Sequence, residues 1–264
     1  MTDTARPAEP FPPGTFCPDP GPAPAATMVR AAAAAELRIQ LRNGEQLLLA
    51  LVIPLAVLVG MTYLTVVDLP TPRVNAVVPG VVTLAVMSSA FTAQAISTAF
   101  DRRYGVLKRL AAAGMSRMVL LVGKCASVAV VVVGQLIVIG TVAVILGWRP
   151  GVAAVGAVPV VVLGGVAFTG LGLLLGGTLR AEAVLALANI AWFVMLALGG
   201  VLVPLSTGPG WLLVVGGATP AGALSEALRA VLQDGRAPGP WSLAVLAIWA
   251  LIGWFGTVRW FRWL

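Results

Sequence analysis

Apolar residues dominate six long stretches of the chain, and shorter segments containing polar residues, glycine or proline separate them. A helix needs about 20 predominantly apolar residues to cross the hydrocarbon core of a bilayer. The pattern therefore predicts an all-α membrane protein with six transmembrane helices, at Leu47–Val67, Val74–Ala99, Met118–Leu146, Val152–Leu179, Ala183–Leu205 and Trp241–Val258.

The Ala-rich segment 28–46 precedes the first predicted span and consists of good helix formers. On a helical wheel Arg38, Arg42 and Glu45 share one face, with leucines beside it. This modest amphipathicity predicts an interfacial helix, with Glu36, Arg38 and Arg42 as its charged residues. An ordinary basic flank of the first span explains the same residues equally well.

The loop between the second and third spans, AFDRRYGVLKRLAAAGMSR, also has helical periodicity. On one continuous helix its apolar and charged residues would form opposite faces, which Arg103 interrupts. Such a helix beneath the membrane is suited to docking a cytoplasmic partner, although a charged loop that only sets the topology would look similar. The apolar stripe comprises Phe100, Tyr104, Leu107 and Leu110, and the charged face comprises Asp101, Arg102, Lys108 and Arg109.

The segment from Ser206 to Pro240 is too long for a simple turn between the fifth and sixth spans. It contains an apolar piece, WLLVVGGA, a break at Thr219 and Pro220, and a second piece with helical spacing of leucines. Each piece is too short to cross the membrane. The segment therefore predicts an external re-entrant or interfacial hairpin whose backbone is covered by protein.

Composition agrees with a membrane protein, because 59% of the 264 residues are hydrophobic and only 10% are charged. Residues 1–27 form a tail with eight prolines, predicted to be disordered, and residues 28–264 form the membrane domain. Of the 17 Lys and Arg residues, 13 fall on one side of the predicted membrane and four on the other. The positive-inside rule then places both termini in the cytoplasm, as in a multi-pass plasma-membrane protein of bacterial type.

The chain offers few groups for chemistry of its own. It has no histidine and only two cysteines, which argues against Ser-His catalysis, a disulfide framework and a metal site. The run GKC at Gly123 lacks the remaining residues of a phosphate loop. The sequence shows no basic face with interleaved aromatic residues, the pattern that would indicate nucleic-acid binding. We therefore expect no enzymatic activity and no bound cofactor.

Ionisable groups deep in the predicted spans would indicate ion coupling, and the sequence places none near a midplane. Lys124 is expected to snorkel from the start of the third span. Gln135 and Asn189 lie within spans and are expected to form interhelical hydrogen bonds. The energy for any transport is then expected to come from another subunit.

Three features resemble the membrane subunits of type-2 ABC exporters, near the daunorubicin- and doxorubicin-resistance-type permeases. They are the amphipathic helix followed by Pro54–Leu55, the run VPGVVTLAVMSSAF leading into AFDRRYGVLKRL, and the segment GGVLVPLSTGPGWLLVVGGATPAGALSEALRAVLQDG. Together they cover about residues 34–258. The family often has proline after the coupling segment, where this chain has Gly114 and Met115.

The resemblance implies that two membrane subunits, identical or paralogous, pair above two ABC ATPase subunits that bind ATP and Mg²⁺. The loop after span two would be the coupling helix, with Asp101, Arg102 and Arg103 making polar contacts to the ATPase and Gly105 allowing close approach. The full set implied for ATPase coupling is Phe100, Asp101, Arg102, Arg103, Tyr104, Gly105, Leu107, Lys108 and Arg109.

By the same analogy, spans two and five would line a translocation path for a hydrophobic drug, lipid or lipid-like substrate leaving the cell. Its apolar lining would include Val81, Leu84, Phe91, Phe193 and Met195. A secondary, ion-coupled transporter and a non-transporting membrane scaffold remain the alternatives. The former predicts an inverted repeat and intramembrane charges, and the latter does not need a docking helix.

Overall fold

The computed structural model describes residues 23–64 and 69–261, without the side chains of residues 45–47 and 49. Its regular structure over these residues is helical, which confirms the all-α membrane class. The α-helices are α1 Ala25–Arg42, α2 Gly44–Tyr63, α3 Arg73–Val86, α4 Gln94–Arg103, α5 Val106–Ala112, α6 Arg117–Ile145, α7 Ala157–Thr178, α8 Ala181–Leu198, α9 Gly210–Gly217, α10 Pro220–Leu232 and α11 Pro240–Trp260.

Five helices in the described part of the chain are long and apolar enough to cross a membrane. They correspond to predicted spans two to six and run over Arg73–Arg103, Arg117–Ile145, Val152–Thr178, Ala181–Leu198 and Pro240–Trp260. The first predicted span corresponds to α2, whose described apolar part, Ala50–Tyr63, is shorter than these five. Its predicted end at Val67 lies outside the described residues, as do residues 1–22 of the predicted tail.

The helix Arg73–Arg103 is the central element of the fold. Residues of its most apolar window are 83% buried, against 44% or less in the other four spans. A π-helical turn, Met87–Ala93, joins α3 to α4 within it. Such turns interrupt the regular hydrogen-bond ladder and are frequent at functional sites.

Helix α7 packs through glycine residues directly against the helix Arg73–Arg103, which we call the central rod. A Cβ atom at Gly172 would lie 2.7 Å from the carbonyl oxygen of Phe91, and one at Gly176 would lie 2.4 Å from that of Ala95. The Gly172/Gly176 pair, a small-xxx-small spacing of the kind that permits close packing, therefore brings two backbones together.

Helix α1 begins at Ala25, three residues before the predicted start, and ends at Arg42. It packs chiefly along α6. Arg38 and Arg42 are exposed, but Glu36 is buried on the opposite side of the helix, so the three predicted interfacial charges do not share one face.

The segment 206–240, predicted to be an external hairpin, contains two helices joined by a sharp bend, and its side of the membrane stays a prediction. Helices α9 and α10 meet at an angle of 100° over a short break. Thr219 caps α10 by accepting a hydrogen bond from the amide of Gly222 at 3.0 Å, and Pro220 occupies the first turn, where its missing N–H costs nothing. Helix α10 is buried along most of its length against α3, α7 and α11.

Candidate functional site

The segment of residues 100–110 changes direction in its middle. Helix α4 ends at Arg103, Gly105 adopts a left-handed conformation with φ of 69°, and α5 starts at Val106. Glycine adopts this conformation without the steric penalty of a Cβ atom. The expectation of one continuous helix with two opposite faces is therefore wrong. No other group lies within 4 Å of a Cβ built at Gly105, so close approach of a partner there stays a prediction.

Leu107 and Tyr104, assigned to one apolar stripe, occupy different environments. Leu107 is fully buried in a cluster with Leu120, Leu173 and Phe261, whereas Tyr104 is 64% exposed. Phe100 is half-buried and stacks on Tyr104 with a ring-centroid distance of 5.9 Å. The buried leucine anchors α5, while the tyrosine faces outward.

The arginines Arg102 and Arg103 hold the end of α4 to its neighbours. Arg102 donates hydrogen bonds of 2.9 Å to the carbonyl oxygens of Gly176 and Leu179, at the end of α7. Arg103 pairs with Glu182 of α8 at 2.5 Å, and its guanidinium lies 5.9 Å from the centre of the Phe100 ring. The exposed basic side chains on the segment beyond Gly105 are Lys108 and Arg109.

Lys124 is the centre of a buried ion triad. Its ammonium lies 2.6 Å from a carboxylate oxygen of Glu36 on α1 and 2.7 Å from one of Asp101 on α4. The Lys124 side chain has no exposed area, and the two carboxylates are 11% and 18% exposed. A buried ammonium needs such partners, because removing a charge from water is costly. We call Glu36, Lys124 and Asp101 the charge triad.

The triad corrects the expectation that Lys124 snorkels towards water. A snorkelling lysine keeps its charged head exposed, but here the head points between three helices. Asp101 was expected to contact an ATPase, and in this structure its carboxylate contacts Lys124. An apolar run that contains one lysine, LLVGKCASV, is the signal in the sequence that could have indicated a buried cation.

A second polar contact set lies beside the π-helical turn. Gln135 of α6 accepts a hydrogen bond from Ser89 at 2.8 Å and donates one to the carbonyl oxygen of Ala50 at 3.0 Å. The expected interhelical role of Gln135 is confirmed. The expectation for Asn189 is wrong, because its side-chain amide donates to Leu185 of its own helix and is exposed.

A cavity of about 380 Å³ lies between α1, α2, α4 and α6. Gln40, Ser97 and Asp101 supply part of its polar lining, and Ile39 and Ile96 supply part of its apolar lining. It extends from the charge triad towards the π-helical turn, so the two polar sets share one interior region.

The residues predicted for a translocation path separate into two groups. Val81, Leu84 and Phe91 are at most 5% exposed and belong to the core of this chain. On α8, Phe193 is 64% exposed, and Met195 is half-buried against the core. Their assignment to a path stays a prediction.

Arg229 is a second buried cation, at the opposite end of the central rod. Its guanidinium donates to the carbonyl oxygens of Gly200 at 2.5 Å and Val201 at 3.1 Å, just beyond the end of α8, and to Ala76 at 3.4 Å. Glu226 lies 3.5 Å away. The sequence indicated only an external arginine there, since helical spacing does not reveal distant carbonyl groups.

Among the described residues, no group of three or more His, Cys, Asp or Glu side chains could hold a metal ion. The polar groups that are brought together instead join helices to one another. The protein is therefore a helical membrane protein with several spans. The polar contacts between its helices described above lie at the helix ends and around the central rod.

The family model for ABC-2 type transporters matches residues 27–232, which include most of α1, the 100–110 segment, α9 and α10. The chain therefore belongs to the ABC-2 type transporter family. It is a transmembrane subunit of an ABC transporter, a role that implies partnership with ABC ATPase subunits. No curated protein matches the chain significantly.

Proposed function

We propose that this chain is the permease subunit of an ATP-driven exporter and that its 100–110 segment docks onto a separate ABC ATPase subunit. The observation that carries this proposal is the division of the segment into anchored and exposed residues. Arg102 and Leu107 fix it to the membrane helices, while Tyr104, Lys108 and Arg109 are exposed. A rigidly held segment with exposed aromatic and basic groups can receive a displacement and pass it to the helices.

The proposed orientation places this end of the molecule in the cytoplasm, together with both termini. The distribution of cations supports it, since 13 of the 17 Lys and Arg residues fall on the side of this segment. The external hairpin then lies on the other side of the membrane, where Arg149 and Arg236 are exposed.

We further propose that two membrane subunits, identical or paralogous, enclose a path for a hydrophobic drug, lipid or lipid-like substrate, as in the daunorubicin- and doxorubicin-resistance-type permeases. The apolar face of α8, exposed at Ile190, Phe193 and Val194, supports a role at that interface. Val81 and Leu84 are buried in the isolated chain, so access to them would require α3 to separate from the helices packed around it, chiefly α2 and α10. ATP and Mg²⁺ would be bound by the ATPase subunits.

The docking proposal is tested by reversing the exposed charges of α5. The double variant Lys108→Glu, Arg109→Glu is expected to insert into the membrane normally but to lose co-purification with the co-expressed ATPase. The matched control, Arg149→Glu with Arg236→Glu, changes the same net charge at the opposite end and should retain the ATPase. Equal retention by both variants would contradict docking at α5. Arg102 is unsuitable for this test, because it holds α4 to α7.

The buried charge triad favours ion-coupled transport, because such transporters use intramembrane ionisable groups. Family membership favours ATP. Proteoliposomes containing the full complex separate the two: ATP-driven uptake of a fluorescent lipid into inside-out vesicles should survive a proton ionophore and stop with an ATPase variant that cannot hydrolyse ATP. The reverse result would support the secondary transporter.

A further inference from the structure

Helix α1 is attached to α6 along one continuous face. Ala32, Glu36 and Gln40 recur every four residues and therefore lie on one side of α1. Ala32 packs against Gly123 of α6. A Cβ atom added at Gly123 would lie only 2.8 Å from the Cβ atom of Ala32. Gln40 donates a hydrogen bond of 3.2 Å to Ser127 of α6. The two helices are therefore in close contact on both sides of the charge triad.

The charge triad adds the end of α4 to this pair. Lys124 sits on α6, and its two carboxylate partners come from α1 and α4. A displacement of α4 relative to α1 would separate a buried ammonium from one of its counter-ions. Such separation is strongly unfavourable, because the Lys124 side chain has no solvent-exposed area and a buried charge that loses a partner is costly.

The opposite face of α1 points away from the bundle and is amphipathic. Leu41 is 57% exposed on this face, beside the exposed Arg38 and Arg42. Exposed apolar side chains beside arginines suit a helix at the boundary between lipid headgroups and acyl chains. A movement of α4 that carried α1 with it would therefore also move a membrane-surface helix.

We propose that Lys124 is a positioning residue that locks α1, the end of α4 and the start of α6 into one body, which moves as a unit when the ATPase acts on the 100–110 segment. This inference rests on the proposed function and deepens it. The interfacial helix becomes a moving part of the transport cycle rather than a static anchor. Glu36 is then required for transmission although its side chain is only 11% exposed and pairs with Lys124.

The test measures two distances by pulsed electron paramagnetic resonance in the full complex with its ATPase, in nanodiscs, before and after trapping with ATP and vanadate. Spin labels at Ala35 and Ala112, both exposed, report on α1 against α5. Labels at Ala112 and the exposed Ala237 report on α5 against the external end. The background carries Cys17→Ser and Cys125→Ala.

The expected result is a shift of the Ala112–Ala237 distance on trapping, with an unchanged Ala35–Ala112 distance. In Glu36→Gln, which keeps the Lys124–Asp101 pair, the Ala35–Ala112 distance should shift on trapping, and the transport of fluorescent lipid per ATP hydrolysed should fall. Glu182→Gln, which disrupts an exposed ion pair of the same segment, is the matched control and should leave the Ala35–Ala112 distance unchanged.

A wild-type Ala35–Ala112 distance that shifts on trapping would overturn the proposal, while the proposed function would stand. An Ala112–Ala237 distance that does not respond to ATP would remove both. Gly123→Leu provides a second route, because it wedges α1 away from α6 without altering any charge. It should reproduce the behaviour of Glu36→Gln, and a wild-type response from this variant would also count against the locked body.

Discussion

The two ends of this molecule each bury a cation, but they neutralise it differently. At one end Lys124 is held by carboxylates from two other helices, at 2.6 and 2.7 Å. At the other end Arg229 donates chiefly to backbone carbonyl oxygens just beyond α8. These carbonyls lie in the turn that follows α8, so Arg229 ties α10 to that turn.

The two kinds of partner, side-chain carboxylates and backbone carbonyls, give the two ends different properties. Side-chain carboxylates belong to separate elements, so the charge triad ties those elements together only while all three charges are present. The backbone carbonyls of Gly200 and Val201 cannot be removed by a side-chain substitution, and they directly follow α8 in the chain. The Arg229 end is therefore expected to be a rigid clamp of the external hairpin, and the Lys124 end a junction through which helices are linked.

The largest effect is expected from Lys124→Met, which leaves two buried carboxylates without a counter-ion. Removing one member of a buried ionic group typically costs about 3–5 kcal/mol in the free energy of unfolding. The measurement is unfolding in mixed detergent micelles, followed by circular dichroism. The triple variant Glu36→Leu, Lys124→Met, Asp101→Leu should recover most of the loss. A triple variant no more stable than the single one would contradict the ionic origin of the effect.

Arg229→Met should destabilise the chain by about 1.5–3 kcal/mol, the range for hydrogen bonds that involve a charged group. No second apolar substitution can compensate, because the orphaned acceptors at Gly200 and Val201 are backbone atoms. This absence of rescue is the sharpest contrast with Lys124. The same unfolding assay applies, and the exposed Arg236→Met is the control. A loss equal to the control's would mean that the external clamp is not energetically significant.

Gln135→Leu, between the two ends, should cost less, about 0.6–2 kcal/mol, as expected for interhelical hydrogen bonds within membranes. The substitution leaves the hydroxyl of Ser89 without its acceptor and the carbonyl of Ala50 without its donor. Ser89→Ala combined with Gln135→Leu should show non-additive losses. Strict additivity would indicate that the two side chains act independently.

The smallest effect is expected from Glu182→Gln. Its pair with Arg103 is half-exposed or more on both sides, and such pairs contribute at most about 1 kcal/mol. The difference from wild type should shrink further at high salt, because counter-ions screen exposed charges. Thermal unfolding at low and high sodium chloride measures this. A loss as large as that of Lys124→Met would invalidate the distinction between buried and exposed pairs.

Much of the architecture was predictable, because it follows from local patterns. Runs of apolar residues predict spans two to six. The Thr219–Pro220 break predicts the bend between α9 and α10. The burial of Lys124 could not be predicted from the sequence, because its partners Glu36 and Asp101 are distant in sequence and only packing brings them together. Gly105 breaks the single helix expected over residues 100–110, so residues before and after it no longer share the faces that a continuous helix would give them.

The apolar runs of the sequence are enough to predict that this chain enters a membrane as helices, because backbone polar groups in hydrocarbon must be satisfied within each segment. The sequence also determined where the cations concentrate, which sets the expected orientation. Which charges are buried and which are exposed is visible only in the tertiary structure. That outcome depends on which helices pack together, and α1, α4 and α6 meet at Lys124 through contacts that hydropathy along the chain does not record.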